Sequence, residues 1–79
     1  MQTIRVIPDP FWQGERASES RFVTALKSAG ADAMHAGSCY SRVLTEDGAR
    51  IDVAEDSDLR ALADALPGYT IVQLPGTGA

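Results

Sequence analysis

Seventy-nine residues, 44% hydrophobic and 23% charged, leave room for one modest core and lie far from the apolar-poor balance of a disordered chain. No apolar run approaches the roughly 20 residues that cross a bilayer, the first residues lack the apolar stretch of a signal peptide, and a single cysteine, Cys39, excludes an intramolecular disulfide, so a cytoplasmic protein with no membrane partner is expected. The net charge of −4 is unevenly spread: residues 1–40 sum to zero, whereas seven carboxylates between positions 46 and 64, opposed only by Arg50 and Arg60, give that stretch −5.

Thr3 to Ile7 is a β-branched run stopped by Pro8 and reads as the first strand, with Ile4 and Val6 on one face. Pro8 to Gly14 holds two prolines and a glycine and reads as a stiff loop presenting Phe11 and Trp12. From Glu15 to Ala29 the apolar period becomes helical, through Phe22, Ala25, Leu26 and Ala29, and Gly30 supplies the stop.

Tyr40 to Leu44 and Arg50 to Ala54 flank an Asp47-Gly48 pair and read as strands two and three of a hairpin. Residues 31–39 either extend strand two or form a loop. Asp56-Ser57-Asp58 caps a second helix with Leu59, Leu62, Ala63 and Leu66 along one face, ended by Pro67-Gly68. Tyr69 to Leu74 is the fourth strand.

The order β-α-β-β-α-β implies an α+β domain over residues 1–74: a ferredoxin-like βαββαβ fold, with a four-stranded antiparallel sheet and two helices on one face. Residues 75–79 are expected to form a flexible C-terminal tail. The helix-free face would gather Arg5, Arg42, Arg50 and Asp52.

No catalytic set stands out. The fold class hosts many functions, so the residues must decide. The strands central to that sheet lack the aromatics on which an RNA-recognition module stacks bases. The acidic stretch has the wrong sign for autonomous nucleic-acid binding, since such a protein must replace the cations around phosphate. His35 and Cys39, four apart, have no third ligand, so neither a metal nor another cofactor is expected. The carboxylates are expected to be solvated rather than paired in a pocket, and the serines lack a nucleophile elbow. The chain is read as a non-enzyme.

Two features remain as partner-binding determinants. One is the acidic set Glu46, Asp47, Asp52, Glu55, Asp56 and Asp58, which suits a basic protein surface. The competing explanation is local: Asp56 and Asp58 cap a helix, and Glu46-Asp47 suit a turn. The other is Phe11-Trp12, a rigid aromatic pair of the kind that anchors interfaces; alternatively one ring, Phe11 before Trp12, folds over the end of the core.

In size, in the acidic stretch from Glu46 to Asp64 and in its lack of a catalytic or metal constellation, the chain resembles the small anti-CRISPR proteins that phages direct at type I interference complexes. The likeness spans Met1 to Ala79 and carries no diagnostic motif, so no residue role transfers with it. It implies a protein inhibitor in the host cytoplasm whose carboxylates occupy the lysine- and arginine-lined surface that would bind target DNA. The alternative from another class is a small dimeric α+β module that binds a ligand or regulates.

Overall fold

The computed structural model describes residues 1–45 and 48–75. Six elements follow one another: β1 (Gln2–Pro8), α1 (Glu19–Ser28), α2 (Ala33–Thr45), β2 (Ala49–Val53), α3 (Leu59–Ala65) and β3 (Tyr69–Gln73). The class is α+β, but the ferredoxin-like arrangement is not formed. The sheet has three antiparallel strands in the order β2-β1-β3, and three helices accompany it.

The correction lies in residues 33–45. Tyr40 to Leu44, expected as a strand, are the last turns of α2, which also absorbs the stretch expected as loop or strand extension. The Asp32 carboxylate accepts the His35 N–H at 2.9 Å and the Asp32 carbonyl accepts from Ala36, which starts the helix. Ala36, Cys39 and Val43 then recur at helical spacing and are buried. That periodic burial outweighs the strand preference of Tyr40 and Val43 and the low helix propensity of Gly37 and Ser38. With 40–44 helical there is no strand on that side for a hairpin; of the expected turn, Glu46 and Asp47 lie outside the described residues.

The other elements follow their sequence signals closely. Ser18 caps α1, its side chain accepting from Arg21 N–H, so the helix begins four residues later than Glu15. Asp58 caps α3, accepting from the N–H groups of Arg60 and Ala61.

β1 is the central strand, pairing with β2 from Gln2↔Val53 to Val6↔Ala49 and with β3 from Ile4↔Gln73 to Pro8↔Tyr69. Its buried face, Ile4 and Val6, joins Ile51 and Val53 beneath Phe22, Leu26, Ala36, Val43, Leu62 and Leu66 in one core cluster. Phe22 meets Tyr40 and Tyr69 edge to face, at 5.3 and 5.5 Å between ring centroids, contacts that contribute roughly 0.5–1.5 kcal/mol each beyond burial. Leu59 is half-buried at the margin, and on β3 Ile71 packs inward while Val72 is exposed.

The helix-free face carries Thr3, Arg5, Arg50, Asp52, Thr70 and Val72. Arg42, expected there, is on α2 instead.

Candidate functional site

Antiparallel pairing gives the sheet two ends. At the Pro8 end, β1 runs into the loop that precedes α1, β3 begins at Tyr69, and α2 finishes at Thr45. At the Gln2 end, β2 leaves Val53 for the start of α3.

The loop at the Pro8 end is tied down by its own backbone. Asp9 donates its N–H to the Gly68 carbonyl at 2.9 Å, and its carboxylate accepts the Phe11 N–H at 2.9 Å, a local turn typical of aspartate. Arg16 spans the loop: Nη2 donates to the Asp9 carbonyl at 2.7 Å and Nε to the Gly68 carbonyl at 3.3 Å. Ala17 N–H closes the loop on the Pro67 carbonyl.

Gly68 is required at this junction. Its φ is +91°, and a Cβ there would collide with Arg16 Cγ and lie 3.1 Å from Trp12 Cδ1.

On this base Phe11 is 87% exposed and Trp12 41% exposed. The indole rests over Gly14 and Gly68, so part of its surface is spent on closing the loop. Phe11 makes no such use of its ring, and the expectation that it folds over the core end is not met. Beside the loop is a depression of about 450 Å³ lined by Ile7, Pro8, Pro10, Arg16 and Leu44. Leu44 is itself exposed. Its contribution was hidden in the sequence because a strand through 40–44 gives no reason to place it beside Pro8; helical spacing from Tyr40 would have done so.

The acidic half of the anticipated interface is not assembled beside these aromatics. Asp52 lies on the helix-free face, accepting from the Thr3 hydroxyl at 2.6 Å. Glu55 pairs with the N-terminal ammonium at 3.2 Å at the Gln2 end. Asp58 there is committed to capping α3, and Asp56 is exposed in the same connection. Glu46 and Asp47 lie outside the described residues.

A second concavity, of about 480 Å³, separates α1 from α3 and is lined by Arg21, Thr24, Ala25, Ser28, Ala29, Ser57, Asp58, Ala61, Leu62 and Ala65. Its polar rim is partly committed, since the Ser57 hydroxyl donates to the Ala29 carbonyl at 2.6 Å and Asp58 is the cap.

Among the described residues no group of three or more His, Cys, Asp or Glu side chains is placed to hold a metal ion. His35 and Cys39 share α2, but His35 is exposed while Cys39 is buried, its thiol donating to the Arg50 carbonyl at 3.5 Å. Burial pushes the Cys39 thiol above its ordinary pKa, against a smaller opposing pull from Arg42, so it is a poor nucleophile. Tyr69 is raised too, by burial first and by Tyr40 second, while Arg16 opposes. Its hydroxyl is buried and has no hydrogen-bond partner among the described residues.

No described helix is long and apolar enough to cross a membrane. No family model, curated protein or solved structure matches this chain.

Proposed function

We propose that this chain acts by protein–protein contact without chemistry, as an inhibitor-type module, and that the Pro8 end is its principal contact surface. The observation that carries this reading is the exposed Phe11 ring on a backbone fixed by Asp9 and Arg16. An aromatic held ready in this way loses little conformational freedom on binding, which is what a binding anchor requires. Pro10 and Leu44 line the depression beside the same loop, and Trp12 is partly exposed on that loop.

The partner we propose, following the resemblance to phage inhibitors, is a host CRISPR interference complex engaged at its basic DNA-binding surface. The net charge of −4 supports long-range attraction to such a surface, with apolar contact at Phe11 giving the bound state its lifetime. The test is target-DNA binding by a purified type I complex with and without this protein. Wild type should reduce DNA binding and Phe11→Ala should restore it. No reduction by wild type overturns the CRISPR assignment; reduction that survives Phe11→Ala and Leu44→Ala overturns the Pro8-end surface.

The α1–α3 groove favours a second reading, a module that binds a small ligand, because its volume lies in the range of small-molecule pockets. Screening metabolites for a rise in melting temperature, with Ala61→Phe to fill the groove, tests it. A rise abolished by that substitution favours the ligand reading.

A further inference from the structure

We propose that β3 pairs with β3 of a second copy of this chain, joining two three-stranded sheets into one six-stranded antiparallel sheet. The starting observation is the state of the two sheet edges. On β2 the outward Arg50 carbonyl is met by the Cys39 thiol, and beyond the strand Ala54 N–H is bonded to the Ala29 carbonyl. That edge is engaged from the α1–α2 side at these two points and carries the charged side chains of Arg50 and Asp52, which discourage pairing with another strand.

The β3 edge is different. Asp9 N–H to the Gly68 carbonyl and Leu74 N–H to the Thr3 carbonyl fix which groups face β1. By antiparallel alternation the backbone groups of Thr70 and Val72 face β1, and those of Ile71 and Gln73 point outward. Among the described residues nothing pairs with that outer side. An open edge is normally protected by charge, proline or a bulge, and Tyr69-Thr70-Ile71-Val72-Gln73 contains none of these, its pairing with β1 being continuous.

A second copy is the occupant this edge fits. A two-fold axis at Ile71 places Ile71 against Ile71 and Thr70 against Val72 of the copy in both directions, β-branched pairs with no charge to oppose them. Ile71, only half-buried in one copy, gains cover. This inference does not rest on the Pro8-end reading, since that surface lies beyond the start of β3.

Sedimentation equilibrium across the micromolar to millimolar range tests the proposal on the intact chain. Wild type should dimerise. Thr70→Glu with Val72→Glu sets two like-charged pairs across the axis, while Val72→Glu faces Arg5 within its own sheet. Its dimer dissociation constant should rise at least about tenfold. The matching Lys/Lys variant should weaken likewise, and mixing the two should restore dimers through Glu–Lys pairs. A wild type that stays monomeric, a Glu/Glu variant that dimerises as wild type does, or folded variants that fail to recombine each overturn the proposal. Should the variants not fold, amide exchange on wild type decides: concentration-dependent protection at Ile71 and Gln73, absent at Thr70 and Val72, supports the pairing, and its absence overturns it.

Discussion

Arg5 and Arg50 stand opposite each other across β1 and β2 on the helix-free face of the sheet. Ladder alternation makes them a non-hydrogen-bonded pair, the kind in which facing side chains come closest, and like charges so placed oppose the sheet. Arg50→Glu should therefore stabilise the fold by roughly 0.2–1 kcal/mol, measured by urea denaturation. The gain should shrink as salt screens the pair. A loss of stability would mean that Asp52, the diagonal neighbour, already neutralises Arg5 in the wild type.

Phe11→Ala should leave the melting temperature unchanged, since the ring is 87% exposed and supports nothing. Trp12→Ala should lower it, because the indole covers Gly14 and Gly68. The pair separates binding from folding at adjacent positions. Equal melting temperatures for both variants would deny Trp12 a structural part.

Gly68→Ala should cost about 1–3 kcal/mol through its positive φ, with further loss from collision with Arg16. Trp12 is the only tryptophan, so displacement of the loop should register as a change in its emission in the folded protein. An unchanged spectrum would show that Arg16 yields without moving the loop.

Leu62→Ala should cost roughly 2–4 kcal/mol by leaving a cavity where α3 meets the core, and Leu59→Ala less, because Leu59 is only half-buried. Chemical denaturation midpoints with unchanged slope would establish the order.

Cys39 and Tyr69 both hold their protons more tightly folded than unfolded. The stability this contributes is complete below their unfolded pKa values and is lost as pH climbs through the folded ones. Stability should therefore fall in the alkaline range, and Tyr69→Phe should flatten part of that fall. At neutral pH Tyr69→Phe should be close to neutral or stabilising, because the hydroxyl it removes is buried without a partner among the described residues. A clear loss at neutral pH would mean that the hydroxyl has a bound partner in solution.

Legibility in the sequence followed the distance over which each signal acts. Asp58 and the leucines behind it mark α3, and Ile4, Val6, Ile51 and Val53 mark their strands and their inner face, because capping and alternation are local. α2 was obscured by Gly37, Ser38 and the strand-forming Tyr40 and Val43; what makes it a helix is the burial of Ala36, Cys39 and Val43 against the rest of the molecule, a tertiary effect. Losing that strand removed the fourth position in the sheet and moved Arg42 and Leu44. The candidate site was half legible. Phe11 and Trp12 stand out as aromatics between prolines and glycine, and the capping duty of Asp58 was legible too, whereas adjacency in sequence could not reveal that Asp52 and Glu55 take up separate structural duties away from the aromatics.

The central position of β1 also governs how the chain can reach its fold. Each of its ladders is closed by residues far along the sequence, β2 from position 49 and β3 from position 69. During synthesis β1 therefore waits, unpaired and β-branched, while α1 and α2 form beside it, and its second ladder closes only after Tyr69 to Gln73 have left the ribosome. Helices dominated by local contacts form quickly, whereas ladders of large sequence separation carry a loop-closure cost before they gain anything. The slow step in folding should be the docking of β1 between its two partners, and the exposed Ile4 and Val6 of the waiting strand are the segment most open to chaperones and to misassociation in that interval.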